Sequence, residues 1–179
     1  MLRPIWLNNL PTPPSVNASL VPMAQKKRAA NGRIYMGARM RPAPEMVTYK
    51  DEVRLYRLRH EGKLTAIGRA LRNEIEERQW VLRVDVFIVF HVERIFSSVN
   101  KKVLTLDANN RIKASLDAVA NLLDIDDKYF FRGDCEKVTT AQKESQCTMV
   151  RIQLVRPRTH EEIMAVMRQD LDDSPIRTF

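Results

Sequence analysis

The sequence predicts one α+β domain in which a mixed β-sheet is covered mainly on one side by helices. Three observations predict it. The chain has 179 residues, 44% of them hydrophobic, enough for one self-sufficient core and short for two. Val81–His91 alternates with period two, a strand pattern. Around it lie stretches whose apolar residues recur at spacings of three and four, the helical pattern. The order read along the chain is β, long loop, α, α, β, α, β, β, α, which fits helices packed on one sheet.

Taken in order, Ile5–Leu10 is a short apolar strand, stopped by Pro11, Pro13 and Pro14. Residues 18–47 show no sustained period and are expected as a basic loop, with a hairpin signal at Asn31-Gly32 inside it. Residues 46–60 read as a helix with Thr48 and Asp51 as a capping box, broken at Glu61-Gly62-Lys63. Residues 64–78 read as a second helix on Leu64, Ile67, Leu71 and Ile75. The strand Val81–His91 turns Leu82, Val84, Val86, Ile88 and Phe90 to one face; its other face is partly apolar, as a central strand requires. Residues 93–102 form a loop, and a helix follows. Residues 129–139 and 149–154 are expected as paired strands joined through 141–145. Thr159 and Glu162 form a capping box ahead of Ile163, Val166 and Met167, a C-terminal helix that ends in a frayed tail. The core is expected within residues 7–155, with 159–179 as helix and tail.

The net charge of +8 is uneven. Residues 1–73 hold fourteen Lys or Arg against four Asp or Glu, leaving sixteen against eighteen in the remainder. A basic half beside an acidic cluster fits a metal-dependent enzyme acting on a polyanion; the lesser alternative is a basic protein with solvated side chains. Lys26, Lys27, Arg28, Arg33, Arg39 and Arg41 make the loop a candidate phosphate contact, and Tyr49, Arg54 and Arg57 extend it onto the next helix. No P-loop or dinucleotide fingerprint is present, and His60, His91 and His160 with Cys135 and Cys147 give no zinc spacing. The two cysteines read as reduced thiols, and no apolar run approaches a membrane span, so a soluble, intracellular protein is expected.

The densest chemistry lies in residues 103–131. Ile112, Leu116, Val119 and Leu123 form one helical stripe, while Asn110, Lys113 and Asp117 form a second face about 120° away. Asp107 precedes this helix, and Asp126 and Asp127 follow it. Two readings stand. Asp107, Asp126 and Asp127 hold Mg²⁺ beside a transition-state cation, Lys113; or Asp107 or Asn109 caps the helix and residues 124–127 are a solvated turn.

These residues resemble the RusA-type Holliday junction resolvases, small Mg²⁺-dependent homodimeric endonucleases of phages and prophages. The family's Asp-x-Asp-Asn-x-x-Lys-x-x-x-Asp run falls here on Asp107, Asn109, Asn110, Lys113 and Asp117, and its later Asp-Asp pair on Asp126 and Asp127. The opening Leu10-Pro-Thr-Pro-Pro-Ser-Val-Asn17 and the helix start Tyr49-Lys50-Asp-Glu-Val53 are also similar. The chain departs from the pattern at Asn109, where the family has a second Asp; an amide coordinates Mg²⁺ without contributing charge. The resemblance implies a RusA-like fold and a metal set of Asp107, Asn109, Asp126 and Asp127, with Asp107, Lys113 and Asp127 catalytic and Asn110 and Asp117 in support. It further implies Mg²⁺, with Mn²⁺ as a substitute; a homodimer on branched double-stranded DNA contacted by Asn17, Lys50 and the basic residues above; no membrane; and a phage- or prophage-encoded protein in the bacterial cytoplasm. The alternatives are a non-catalytic branched-DNA-binding protein on the same fold, or a structural phage protein.

Overall fold

β4 (Val81–His91) is the central strand of the main sheet. The structure, a computed structural model, describes residues 3–14, 20–28, 34–96, 99, 102 and 109–172. On one edge of β4 lies β7 (Cys147–Val155), antiparallel, and beyond it β1 (Ile5–Leu10), antiparallel to β7. The other edge carries β5 (Phe130–Arg132) and then β6 (Cys135–Thr140), both parallel to β4. The result is a mixed sheet. The expected pairing of residues 129–139 with 149–154 does not occur, because β4 lies between them. A strand apolar on both faces is best buried in the middle, and local pattern does not encode which neighbours it takes.

Gly133 and Asp134 separate β5 from β6. A Cβ on Gly133 would overlap the Val84 carbonyl oxygen, so glycine lets the edge strand close on β4 there. Asp134 then accepts the Val86 N–H at 2.8 Å, which keeps the ladder satisfied across the break.

Within the stretch expected as a loop, residues 20–28 and 34–42 are strands. β2 (Leu20–Arg28) and β3 (Ile34–Pro42) pair antiparallel from Leu20↔Pro42 to Arg28↔Ile34 as a separate two-stranded sheet. The Asn31-Gly32 signal, together with Arg33, lies outside the described residues. The two helices expected from 46–60 and 64–78 are one helix, α1 (Pro44–Arg78), 35 residues long. Its start is Ala43 with Pro44 in the first turn, so Thr48 and Asp51 lie inside it and form no capping box. Gly62 does not break it: a lone glycine costs only about 1 kcal/mol, less than the packing on either side returns.

After a single turn, α2 (Val92–Ile95), comes α3 (Asn109–Leu123). Its buried side includes Val119 and Leu123 as expected, but also Ala114, Ser115, Ala118 and Leu122, while Ile112 and Leu116 are only half-buried. The stripe is wider and rotated because α3 meets both the sheet and α1, and its small residues face the helix. Leu82, Val84, Val86, Ile88, Phe90, Val150 and Ile152 are fully buried beneath these helices, each worth roughly 1.5–3 kcal/mol. The C-terminal helix α4 (His160–Asp172) starts with the expected capping box: Glu162 N–H donates to Thr159 Oγ1 and Thr159 N–H to Glu162 Oε2.

The opposite face of the sheet carries an ion cluster. Asp85, fully buried, accepts from Arg83 Nε at 2.9 Å, from Arg151 Nη2 at 2.7 Å and from the Asp134 N–H at 3.2 Å. Arg151 also lies over Trp6 and Phe87, which stack at 5.7 Å. Burial by itself raises the Asp85 pKa, but the hydrogen bonds from Arg83, Arg151 and Asp134 outweigh it and hold the carboxyl below its ordinary value. Cys135 and Cys147 form no disulfide. Among the described residues no helix is long and apolar enough to cross a membrane.

Two predictions follow from this packing. A Cβ on Gly68 of α1 would overlap the Leu123 carbonyl, whereas Gly62 faces open space. In urea denaturation Gly68→Ala is expected to cost roughly 2–4 kcal/mol and Gly62→Ala to gain about 0.5–1 kcal/mol, opposite signs within one helix. Asp85→Asn is expected to cost about 2–4 kcal/mol near pH 7, discounted because the guanidiniums keep 26% and 32% of their surface in water. Its folded pKa is depressed, so the contribution is present above the unfolded value of about 3.9 and is lost as pH falls through the folded value. The gap between wild type and variant should therefore narrow in acid below about pH 4.

Candidate functional site

α1 and α3 run side by side because their contact residues are small or flat. Gly68 meets the Leu123 carbonyl, Ala114 and Ala118 face α1, and Tyr49 Oη donates to the Ala114 carbonyl at 3.2 Å. Further along, Arg57 donates to Asn121 O at 3.0 Å, and Arg72 to the carbonyls of Leu123 and Asp124. These arginines satisfy carbonyls that the end of α3 would otherwise leave bare.

Between the first half of α1 and α3 the surface opens into a groove of about 510 Å³. Its floor is apolar, from Met46, Val53, Ala114 and Leu122. Among the described residues, Lys50, Arg54, Arg57 and Lys113 line it against a single carboxylate, Asp117. Lys113 and Asp117, placed on one helical face by spacing, thus share a groove with Tyr49, Lys50, Arg54 and Arg57 from the basic helix. Tyr49 is buried, and its pKa is pushed well up by burial and then by the Asp117 and Glu52 charges. It stays a neutral hydrogen-bond donor throughout the physiological range.

The acidic turn lies at the other end of α3. Asp124 takes a left-handed conformation (φ 54°), and the Ile125 N–H returns to the Ala120 carbonyl at 3.0 Å, closing the helix. Asp126 accepts from the Lys128 N–H at 3.0 Å and pairs with Lys128 Nζ at 3.0 Å, contacts that lower its pKa in that order. Asp126 and Asp127 are both exposed. The fifteen residues of α3 rise about 21 Å from Asn109 to Leu123. Asn109 is the first residue of α3 and the Asp126–Asp127 pair follows its last, so the length of the helix lies between them in the chain.

Among the described residues no group of three or more His, Cys, Asp or Glu is placed to hold a metal ion. Asp107, Asn17 and Arg33 lie outside the described residues, as do the side chains of Asn109, Asn110, Lys27, Arg28, Arg39 and Arg41. Lys26, on β2, is exposed.

Sequence reasoning missed three residues here. Asn121 and Arg72 act through backbone carbonyls, for which no motif exists. Arg111 donates to the Pro13 carbonyl and lies over Phe90, tying the Pro-rich element to the first turn of α3. Burial and then the Arg94 charge lower its pKa. Its only sequence signal was a position inside the acidic motif. Comparison of the chain with protein-family models and with curated proteins finds no match.

The groove makes one local prediction. Tyr49→Phe keeps the ring and removes the bond to Ala114 O, so it is expected to cost about 0.5–1.5 kcal/mol in denaturation. Tyr49→Ala should cost roughly 3–5 kcal/mol by emptying the α1–α3 contact.

Proposed function

We propose that this protein is a Mg²⁺-dependent, structure-selective endodeoxyribonuclease with a RusA-like fold, acting as a homodimer on four-way DNA junctions. The observation that carries the reading is the groove. Lys113 and Asp117, two residues of the resolvase-like run, line the same wall-to-wall channel as Lys50, Arg54 and Arg57. Four cations around one carboxylate favour a polyanion, and backbone phosphates are the polyanion such a stripe tracks.

In this reading the arginines and Lys50 hold phosphates and fix the duplex arm, while Lys113 offers fixed positive charge to the group that develops negative charge. Asp126 and Asp127 would hold the ion together with Asp107 and the Asn109 amide. When bound, Mg²⁺ supplies charge neutralisation and activation of water. The two-fold symmetry of a four-way junction asks for a homodimer that places one such site near each of two symmetric strands. A phage- or prophage-encoded cytoplasmic protein fits this role.

Non-catalytic junction binding is the second reading, and two specific observations favour it. Asn109 brings no charge to the motif, and the Asp126 carboxylate is already engaged by Lys128.

The test is cleavage and binding of a synthetic four-way junction with Mg²⁺ or Mn²⁺. Asp127→Asn and Lys113→Ala are expected to lower cleavage about 100-fold or more while junction binding persists. Asn109→Asp should lower the Mg²⁺ needed for half-maximal cleavage. Replacing Lys50, Arg54 and Arg57 by Gln should flatten the salt dependence of binding by about 0.9 per lost phosphate contact. Cleavage by Asn109→Asp but not by wild type would establish the binding reading. No cleavage by either, with salt-independent DNA binding, would overturn both.

A further inference from the structure

Far from the groove, where α1 ends and β5 begins, a second and more open recess of about 620 Å³ is floored by Ile75, Trp80, Tyr129 and Phe131. Trp80 and Tyr129 pack against the margin of the core, so their burial has an ordinary structural reason. Phe131 does not: 61% of it is exposed, on a three-residue edge strand. Cations frame the aromatic rings. Lys128 Nζ lies 5.1 Å from the Tyr129 ring centre, and the Arg78 guanidinium 5.5 Å from that of Trp80.

We propose that this recess takes an unstacked nucleobase from the branch of the DNA, held flat against Phe131 and Tyr129 with its flanking phosphate on Lys128. The proposal rests on the DNA reading above and names the part of the substrate that reaches the acidic turn. A peptide side chain could satisfy the aromatic floor, but Lys128, which lines the recess and whose ion pair with Asp126 is exposed, favours a ligand that also carries an anion; Arg78 is held by Glu74 at 2.8 Å. A nucleotide joins a π-face to a phosphate in that way. Glu76, which also lines the recess, suits the exocyclic amine of a base and disfavours a bare phosphate. Position adds to chemistry. Asp126, Asp127, Lys128 and Tyr129 are consecutive, and Lys128 is shared between the Asp126 carboxylate and the Tyr129 ring. A base seated here brings its own phosphodiester to the carboxylates proposed to hold the ion. Stacking is sequence-tolerant, as recognition of a branch by shape requires.

The experiment uses the full chain in EDTA with two four-way junctions, one intact and one carrying abasic sites at the branch, read by fluorescence anisotropy. Wild type is expected to bind the abasic junction about tenfold more weakly than the intact one. Phe131→Ala should bind the intact junction about tenfold more weakly than wild type does, with no further loss on the abasic junction. The slope of log K against log salt should not change, because no phosphate contact is removed. A second readout does not depend on Phe131. In Trp6→Phe the remaining tryptophan is Trp80, whose emission should be quenched by the intact junction and not by the abasic one. Equal binding of both junctions by wild type, or equal losses for Phe131→Ala on both, would overturn the base-binding proposal while leaving the DNA reading in place. So would a change of sedimenting mass in Phe131→Ala, which would assign the recess to a second copy of the chain. Absence of binding to either junction would overturn both.

Discussion

The distance between α1 and α3 is set by a contact without a side chain. Gly68 lies against the Leu123 carbonyl so closely that a methyl group would not fit. Once the backbones are that near, the residues beside them must be small, as Ala114 and Ala118 are, or able to lie flat and find a polar partner, as Tyr49 does. The groove follows from the same spacing. Toward the start of α1, long cationic side chains replace the small ones, and they cannot fill the space between the helices without burying charge. They line it instead. One close approach thus determines where the helices touch, where they leave a channel, and why that channel is positively charged at its walls.

The two faces of the sheet solve different problems. The helix-covered face is apolar at Leu82, Val84, Val86, Ile88 and Phe90 and needs only volume. The other face is stabilised by paired charges and stacked rings around Asp85 and Arg151, with Trp6 and Phe87 above them. Asp85 also bonds the backbone of Asp134, the residue that bridges the interrupted edge strand. A charge cluster on the middle strand thereby fixes the register of the strand beside it, where hydrophobic burial alone would tolerate a slip.

Local order was legible in the sequence and neighbourhood was not. The bounds of β4 and the capping box at Thr159 and Glu162 depend on residues within a few positions of each other, and the structure carries both. The single helix α1 was hidden because Gly62 reads as a break by propensity, while its continuity is supported from both sides by packing onto α3 and the sheet. The order β1, β7, β4, β5 was hidden because pairing is settled over long separations by which strand buries both faces. The candidate site divides in the same way. Helical spacing put Lys113 and Asp117 on one face, and they do share a groove. That Arg57 and Arg72 would reach the carbonyls at the end of that helix depends on tertiary contact, for which spacing carries no signal.

The length of α1 has a geometric meaning of its own. Arg54, on the groove, and Arg78, beside the aromatic recess, lie twenty-four residues apart on one unbroken helix, a separation of about 36 Å along its axis. At 3.6 residues per turn, twenty-four residues leave the two arginines about 120° apart around that axis, so no ligand lying along one side of α1 meets both. The helix acts as a spacer: it fixes the groove and the recess at a set distance, and neither can shift along the axis without the other.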